Sequence, residues 1–333
     1  MLSVKAVVIP QKETIEVASV PDPAPGPREV VVEVAGCGIC GTDLHILQGE
    51  FAPSLPLVPG HEFAGEVVAA GAEVRGLREG DRVAVDPTLY CGECRQCRHG
   101  RFNLCERWSA IGVTVSGGAA QFAAAPEPNC VKLPDGIDPR DAALIEPLSC
   151  AVRGYDVLRM QLAEHVLIYG SGTMGLMMLQ LAKRSGAASV DIVDVNPSRL
   201  DAARTLGVSA AATSADELER GRWDVVIDCT GVVAAIQDGL GRVARGGTFL
   251  QFGVTDYDAR VTIDPYRIYN QEITITGSMA IRHSFERAAE LFLGGLLDPE
   301  IFISDRLALD DYAEAIDRMR RGAGRKIQVL PGA

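Results

Sequence analysis

An apolar segment followed by a glycine-rich turn and an apolar helix constrains the fold of this chain more than any other feature. Residues 165–169 (HVLIY) have strand character, residues 170–175 (GSGTMG) form the turn, and a helix is predicted over 176–185. Strand, G-x-G-x-x-G and helix make the turn that holds a dinucleotide pyrophosphate at the positive end of the helix dipole. The predicted cofactor-binding residues of the turn are Gly170, Gly172, Thr173, Met174 and Gly175.

The next predicted strand, residues 189–195, supports this interpretation, because glycine triplets also arise by chance in a chain with 35 glycines. Asp194 lies near the end of that strand, where a dinucleotide-binding fold places the acid that bonds the ribose hydroxyls. Its carboxylate would repel a 2′-phosphate, which predicts NAD rather than NADP. Asp191 competes for the role but lies farther from the carboxyl end of the strand. Arg199 is either a solvated helix charge or a residue that weakens the preference for NAD.

The remaining periodicity predicts two kinds of domain. After a predicted helix over 142–160, strands at 223–229, 248–253 and 273–277 with a helix at 232–244 extend the alternating series to a parallel, doubly wound sheet. Residues 1–145 instead hold short β-branched segments between Pro and Gly clusters, which predicts a small barrel-like β domain. Helix-period residues follow at 285–292 and 309–321, and a strand-like run at 326–330 could return to the first domain.

Cys40, His61 and Glu62 are candidate metal ligands. A thiolate, an imidazole and a carboxylate are the ligand types that zinc takes in catalytic sites with one open coordination position. Glycines at 36, 38 and 41 give the backbone around Cys40 the freedom to wrap round an ion. Thr42 and His45 add a hydroxyl and a second imidazole nearby. The competing interpretation is core packing, since unpaired cysteines are among the most buried residues.

Four cysteines form the most specific local motif, which we call the cysteine lobe (residues 91–105). The spacing C-x2-C-x2-C-x7-C lets four thiolates surround one zinc ion in a closed, structural site. A thiol-exchange motif is the alternative, but it needs only two cysteines, normally at a helix N-terminus. We interpret Cys37, Cys130, Cys150 and Cys229 as packing residues. The proposed structural zinc ligands are Cys91, Cys94, Cys97 and Cys105.

Length and composition exclude several classes of protein. A chain of 333 residues exceeds one hydrophobic core, so two domains are expected. With 47% hydrophobic residues and no apolar run of about 18, no membrane span is expected. The net charge of -12 argues against nucleic-acid and anionic-membrane partners. Nine cysteines and an N-terminus without secretory-signal features predict a cytoplasmic protein with metal ligands or free thiols.

Five motifs in order resemble the zinc-dependent medium-chain alcohol dehydrogenases, in particular their polyol (sorbitol) and threonine dehydrogenase branch. They are residues 38–45 (GICGTDLH), 60–62 (GHE), the cysteine lobe, 146–149 (EPLS) and the glycine turn. The resemblance implies an α/β protein with a GroES-like β-barrel catalytic domain, residues 1–147 completed by 279–333, and a doubly wound parallel-sheet Rossmann domain, 148–278. It also implies two Zn²⁺ per subunit, NAD and a homodimer or homotetramer. The implied reaction is reversible oxidation of a secondary alcohol to a ketone, with a polyol, cyclitol or amino alcohol as substrate.

The resemblance also implies a role for each site residue. Cys40 and His61 would bind the catalytic zinc, with Glu62 and Glu146 as acidic partners of the metal or its water. Thr42 would contact the alcohol and begin a proton relay that passes the nicotinamide ribose to His45. Because zinc with one thiolate, a neutral imidazole and one carboxylate is formally neutral, we expect that the two glutamates do not both bind tightly in one state.

The chain departs from the sorbitol-type pattern in its substrate pocket. Residues 280–281 (AI) stand where that branch has an Arg-Tyr pair, with Arg282 and His283 only afterwards, and 46–47 (IL) replace the tyrosine after the relay histidine. The alcohol is therefore left open. Two other functions compete: a zinc-free quinone or enone reductase, which would need neither Cys40 nor the cysteine lobe, and a non-catalytic zinc-binding protein, against which the dinucleotide turn counts.

Overall fold

The computed structural model describes residues 3–50 and 54–332. Met1 and Leu2, part of the N-terminal stretch on which the localisation prediction depends, lie outside these ranges. The chain divides into two compact units, residues 1–149 with 281–333 and residues 150–280. Each junction lies two residues beyond the predicted boundary, at 149 rather than 147 and at 280 rather than 278.

The secondary-structure elements are numbered in chain order. The strands are β1 (Ser3–Val8), β2 (Glu16–Pro21), β3 (Glu29–Gly38), β4 (Glu62–Ala70), β5 (Arg82–Val85), β6 (Thr88–Leu89), β7 (Ser109–Ala110), β8 (Phe122–Pro126), β9 (Cys130–Lys132), β10 (His165–Tyr169), β11 (Ser189–Val193), β12 (Ala210–Ala212), β13 (Trp223–Asp228), β14 (Val243–Gln251), β15 (Thr274–Gly277), β16 (Ile303–Ala308) and β17 (Lys326–Leu330). The α-helices are α1 (Gly41–Leu47), α2 (Arg95–Arg98), α3 (Pro139–Ala142), α4 (Ile145–Leu158), α5 (Thr173–Arg184), α6 (Leu200–Thr205), α7 (Val233–Arg242), α8 (Pro265–Gln271), α9 (Phe285–Leu293), α10 (Pro299–Phe302) and α11 (Tyr312–Arg320). No helix in the described ranges combines the length and apolarity needed to cross a membrane.

The second unit is built on a six-stranded parallel sheet in the order β12-β11-β10-β13-β14-β15. Counted from β10, this is the 3-2-1-4-5-6 order of a doubly wound dinucleotide-binding fold. Its central strands β10, β11 and β13 are largely apolar and buried, as is typical of a parallel sheet that helices cover on both faces. Leu167, Trp223 and Phe249 are fully buried in its core. The predicted doubly wound sheet is confirmed.

In the first unit, β3 lies between β17 and β4 in a sheet ordered β16-β17-β3-β4-β5-β9, and β8 also pairs with β3. Gly38, the last residue of β3, is opposite Glu62 on one side and Gln328 on the other. The C-terminal strand therefore returns to the first domain and lies beside the strand that leads to Cys40.

Two predicted helices end differently in the structure. The helix expected over 142–160 corresponds to α4, which begins at Ile145 and ends at Leu158, whereas the short helix α3 already ends at Ala142. Proline is tolerated only in the first turn of a helix, so Pro147 requires α4 to start just before it. The helix expected to reach residue 244 ends at Arg242, where Val243 begins β14 and pairs with Trp223.

Candidate active site

Cys40, His61 and Glu62 lie together in the first unit, and we call them the Cys40 cluster. Cys40 is the N-cap of α1, His61 immediately precedes β4, and Glu62 is its first residue. One potential ligand atom from each residue lies within 4.8 Å of the other two. His61 and Glu62 are only 6% and 1% exposed. The cluster therefore brings together three potential ligand atoms, two of them on buried side chains and one on the partly buried Cys40.

Two glycines allow these side chains to approach. A Cβ at Gly38 would overlap the Glu62 carboxylate, so only glycine permits Glu62 to lie across the end of β3. Gly60 has φ +94°, and a Cβ there would lie 2.6 Å from both the Cys37 sulfur and the Ala119 nitrogen. The backbone turn that presents His61 thus needs glycine for its conformation and for space.

Asp43 supports the cluster from α1, and the sequence analysis missed it. Its Oδ2 accepts a hydrogen bond of 2.8 Å from the Cys40 nitrogen, and its Oδ1 lies 3.9 Å from Nδ1 of His61. Asp43 is fully buried. A carboxylate facing one ring nitrogen orients a metal-binding histidine and leaves the other nitrogen for the metal. The position three residues after an N-cap is a helix-start signal that could have identified Asp43.

Lys326 is the second missed residue. Its Nζ donates to both carboxylate oxygens of Glu62, at 2.7 and 2.5 Å, and to the Ile39 carbonyl at 3.1 Å. Both side chains of the ion pair are buried, with 5% and 2% exposed. Sequence spacing gives no signal for this contact, because 264 residues separate the partners and only the β17–β3–β4 pairing joins them.

The electrostatics of the cluster suit a cation. Burial alone would lower the pKa of His61, but the charges of Cys40, Asp43 and Glu146 outweigh burial and raise it well above its ordinary value. Burial raises the pKa of Glu146 to about 7, with further contributions from Glu62 and other neighbours. A buried imidazole surrounded by anionic groups is an environment that a zinc ion would stabilise. The residues present therefore fit a zinc site.

Glu146, near the start of α4, is buried and electrostatically coupled to His61 and Glu62, but it is not one of the three residues with mutually close ligand atoms. Two further charges lie beside the proposed ligands, the positive charge of Lys326 and the negative charge of Asp43, and they cancel in a formal count. A zinc centre with one thiolate and one carboxylate is therefore still formally neutral. That only one glutamate binds tightly stays a prediction.

Thr42 and His45 follow Cys40 along α1. The Cys40 sulfur lies 3.6 Å from the Thr42 hydroxyl oxygen. His45 is three residues further on, so Thr42 and His45 share one helix face. At the exposed end of that face, Nδ1 of His45 lies 2.7 Å from a carboxylate oxygen of Glu50. The predicted hydroxyl and imidazole thus lie in a row that leads from the cluster toward solvent.

The four sulfurs of the cysteine lobe have the geometry of a metal site. Three Sγ–Sγ distances are 3.5, 3.9 and 4.0 Å, and tetrahedral zinc with Zn–S bonds of about 2.3 Å requires about 3.8 Å. Backbone N–H groups of Cys94, Cys97 and Arg107 donate to the sulfurs at 3.3–3.4 Å. Hydrogen bonds from backbone N–H groups, above all that of Glu93, lower the pKa of Cys91 to about 6. The lobe fits one zinc ion.

The glycine turn of the second unit has the predicted form. Gly170 has φ +97°, and a Cβ at Gly175 would overlap the Gly170 carbonyl, so helix and strand pack with no side chain between them. A Cβ at Gly172 would meet no atom of the described residues within 4 Å. The protein itself therefore does not require glycine at 172, whereas a phosphate approaching the backbone does. Thr173 and Met174 begin α5.

Asp194 follows the last residue of β11, and its carboxylate accepts hydrogen bonds from the backbone nitrogens of Ser171 and Asn196, at 2.8 and 2.9 Å. It is therefore joined directly to the glycine turn. Asp191 instead accepts a 2.7 Å bond from the buried Trp223 indole, which gives it a structural role. Arg199 Nη1 lies 4.0 Å from Asp194, close enough to reduce the negative charge there.

Comparisons with known proteins agree with both halves of the chain. Residues 26–135 match the family model of the alcohol dehydrogenase GroES-like domain, and residues 173–294 match that of zinc-binding dehydrogenases. The chain is 36% identical to D-arabinitol dehydrogenase 1 of Uromyces fabae, over 91% of this chain and 90% of that protein. It is 33% identical to an L-threonine 3-dehydrogenase of Rhizobium etli, over 93% of each.

Among solved structures, a protein described as a zinc-binding dehydrogenase from Sinorhizobium meliloti 1021, bound to NADP, superposes with a TM-score of 0.94. It shares 34% identity, over 99% of this chain and 100% of that one. The sequence resemblance and the predicted fold are thereby confirmed. The chain is an oxidoreductase that belongs to the zinc-dependent medium-chain alcohol dehydrogenases, in their polyol and threonine dehydrogenase-like branch.

Proposed function

We propose that the protein oxidises a secondary alcohol of a polyol to a ketone, with zinc at the Cys40 cluster and NAD at the glycine turn. The observation that carries the proposal is the convergence of three ligand atoms within 4.8 Å, with the Thr42 hydroxyl 3.6 Å from the Cys40 sulfur. A zinc-free reductase of the same fold would not need this cluster or the cysteine lobe. The reverse reduction is expected as well.

The residues would divide the chemistry as follows. Cys40, His61 and a carboxylate from Glu62 or Glu146 would hold the zinc ion, which would acidify a bound alcohol. NAD would accept the hydride. Thr42 would take the alcohol proton through its hydroxyl, and His45 would carry it toward solvent. Asp43 would keep His61 oriented, and Lys326 would balance the charge of Glu62.

The substrate class rests on the relatives. Besides the D-arabinitol enzyme, a D-altritol 5-dehydrogenase of Agrobacterium fabrum shares 36% identity over 79% of this chain. An acyclic polyol is therefore our first choice, ahead of cyclitols and amino alcohols. Arg282, the nearest substitute for the missing Arg-Tyr pair, donates through Nε to the Gly100 carbonyl at 2.8 Å. This hydrogen bond holds Arg282 against the cysteine lobe, which supports a substrate pocket unlike that of sorbitol-type enzymes.

NAD is proposed over NADP because Asp194 is 7% exposed and held against the glycine turn. The NADP in the Sinorhizobium meliloti relative makes a test essential. Wild-type kcat/KM with NAD should exceed that with NADP, and Asp194→Ser should narrow the difference by removing the charge that opposes a 2′-phosphate. Equal turnover of the wild type with both cofactors would contradict the proposal.

One panel experiment tests the whole assignment. The zinc-loaded protein would be incubated with NAD and pentitols, hexitols, inositols, amino sugars or threonine, and NADH formation recorded. We expect turnover of at least one polyol, and a large loss in Thr42→Val, which removes the hydroxyl with little change of shape. Turnover of threonine alone would change the substrate class. NADH formation unaffected by Thr42→Val would show that the proton path starts elsewhere.

A homodimer or homotetramer is also proposed. The support is β15, the edge of the parallel sheet, where Ile275 is 44% exposed. Ile263 and Tyr269, on the neighbouring segments, are 51% and 81% exposed. An edge strand beside exposed apolar side chains is a pairing surface for a second copy. Light scattering should give at least twice the monomer mass, and Ile275→Lys should lower it.

We place the protein in the cytoplasm, and we expect neither nucleic acid nor membrane as a partner. None of the nine cysteines, all of which lie in the described ranges, is paired in a disulfide, which agrees with a reducing compartment. The net charge of -12 opposes binding to phosphate backbones.

A further inference from the structure

We propose that Glu50 is the positioning residue of the proton relay. It would orient the His45 ring and fix its tautomer, with the proton on Nδ1 and with Nε2 as the basic atom of the relay that begins at Thr42. The inference rests on the proposed dehydrogenase function for its catalytic consequence. The pairing itself rests on the geometry of the end of α1.

The end of α1 brings Glu50 back over His45. The Gly49 nitrogen donates to the Ile46 carbonyl and the Glu50 nitrogen to the His45 carbonyl, both at 2.8 Å. These two bonds define a Schellman motif, in which the second residue after the C-cap Gln48 returns to the residue five positions earlier. That contact is usually apolar. In this chain it joins a carboxylate to an imidazole.

Glycine at position 49 fixes this turn for two reasons. Its φ is +79°, which favours glycine, and a Cβ would overlap the Lys12 side chain that crosses the turn. The loop is also tied to the preceding strands through the Glu13 nitrogen, which donates to the Leu47 carbonyl at 2.8 Å. Glu50 is therefore held by the backbone, so its side chain needs little further ordering to reach the ring.

The hydrogen bond between His45 and Glu50 places a proton on Nδ1 of the ring, as a relay through Nε2 requires. Nδ1 of His45 lies 2.7 Å from Oε2 of Glu50, and the two side chains are 18% and 43% exposed. An ionised carboxylate only accepts hydrogen bonds, so Nδ1 must carry the proton. The hydrogen bond of one ring nitrogen decides which tautomer a neutral histidine adopts. Nε2 then becomes the basic atom.

A solvated surface ion pair is the competing interpretation, and such pairs contribute little to stability. The two interpretations differ in what Glu50 does to His45. A surface pair would leave the tautomer and the rate unchanged, whereas a positioning residue acts through the histidine. The position of His45 on the same helix face as Thr42, one turn from the Cys40 cluster, gives its ring orientation a catalytic consequence.

The tautomer can be read directly on the zinc-loaded protein by nitrogen-15 NMR of labelled imidazoles. The His45 signals would be assigned by their loss in His45→Gln. We expect an Nδ1-protonated His45 in the wild type and a shift toward Nε2 protonation in Glu50→Ala. Glu16→Ala, which removes an exposed carboxylate from the same unit, is the matched control and should leave the signals unchanged. Identical tautomers in the wild type and Glu50→Ala would overturn the inference.

Kinetics with the best alcohol of the panel complete the test. Glu50→Ala should lower kcat about ten-fold with little change in KM, a part of the 100-fold or greater effect typical of general acid–base catalysis. In a His45→Gln background the same change should have no further effect. Independent, multiplying losses would overturn the inference. If no alcohol is oxidised, the proposed function fails, while the tautomer still decides whether Glu50 positions His45.

Discussion

The cysteine lobe and the Cys40 cluster both bring metal-ligand atoms together, but they draw on very different lengths of chain. The lobe takes four sulfurs from residues 91–105 and holds them with its own backbone N–H groups. The cluster takes its atoms from residues 40, 61 and 62 and balances them with Lys326. The first is a local structure, whereas the second depends on the assembled sheet of its unit.

The two sites also differ in what stabilises their charges. Cys91 and Cys94 are partly exposed, and their thiolates are stabilised by backbone hydrogen bonds. His61 and Glu62 are buried among other charged side chains. A site stabilised by backbone dipoles tolerates changes elsewhere in the fold. A site of buried, mutually compensating charges is sensitive to the loss of any one of them.

The largest expected effect separates the two sites by activity. Cys40→Ser should lower kcat/KM about 10⁴-fold, because the zinc site supplies several kcal/mol of transition-state stabilisation. Cys97→Ser should lower stability and zinc content by one ion, while its folded fraction keeps kcat within about three-fold of the wild type. Zinc analysis and steady-state kinetics on the folded fractions check both variants. Loss of turnover in fully folded Cys97→Ser would remove the distinction.

The next-largest effect is on stability and concerns the buried ion pair between Lys326 and Glu62. In protein stripped of zinc, Lys326→Met should lower the free energy of unfolding by about 3–5 kcal/mol, because Glu62 is left buried without its partner. The control, Lys5→Met, breaks an exposed pair with Asp310 and should cost at most about 1 kcal/mol. Urea titrations measure both.

A second substitution sharpens this test. Adding Glu62→Gln to Lys326→Met removes both charges and should recover part of the lost stability, since an unpaired buried charge is the main cost. No recovery would mean that Lys326 stabilises the strands through packing or through the Ile39 carbonyl rather than through Glu62.

The two sites also differ in how far sequence could predict them. The lobe was predictable because ligand spacing within 15 residues already determines which sulfurs can meet. The glycine turn was predictable because the tight bend, the approach of a phosphate to the backbone and the packing of helix on strand each favour glycine. Cys40, His61 and Glu62 were identified from ligand type. Their convergence follows from the pairing of Gly38 with Glu62, which local patterns do not encode.

The residues that were missed are those whose role depends on distant pairing or on a helix end. Lys326 was assigned to a strand-like tail, and only the β17–β3 register places it on Glu62. Asp43 lies inside a recognised motif, but the motif alone does not indicate that its carboxylate faces His61 and bonds the Cys40 nitrogen. Position in the strand favours Asp194 over Asp191 as the cofactor-binding acid, and this choice stays a prediction; the Trp223 contact that occupies Asp191 was not foreseeable from the sequence.

A pH titration of the zinc-free protein should show opposite slopes for the two sites. The pKa of Glu146 rises from 4.5 to about 7 through burial, so its contribution to stability is full below pH 4.5 and is lost as pH rises through 7. The difference corresponds to at most about 3 kcal/mol. The pKa of Cys91 falls from 9.0 to about 6, so its contribution is present above pH 9 and is lost as pH falls through 6.

Urea unfolding between pH 4.5 and 9 measures both slopes. Glu146→Gln should flatten the lower part of the curve, and Cys91→Ser the upper part. Saturating zinc should reduce both slopes, because bound metal keeps the ligands deprotonated across this range. If Glu146→Gln leaves the pH dependence of zinc-free stability unchanged in the lower part of this range, another buried group is responsible for that slope.

The smallest expected effect tests whether the lobe is as self-contained as its ligand spacing suggests. Phe102 stacks on Tyr90 with ring centroids 4.3 Å apart and meets the His283 ring edge-on at 4.9 Å. The lobe is therefore attached to the C-terminal segment of its own unit.

Phe102→Leu keeps an apolar side chain but loses both ring contacts, so it should cost about 1 kcal/mol of unfolding free energy and leave kcat unchanged. Thermal unfolding and kinetics on one preparation would decide. If kcat falls while stability does not, the lobe would act on the active site through His283, and the contrast between a structural and a catalytic metal site would have to be abandoned.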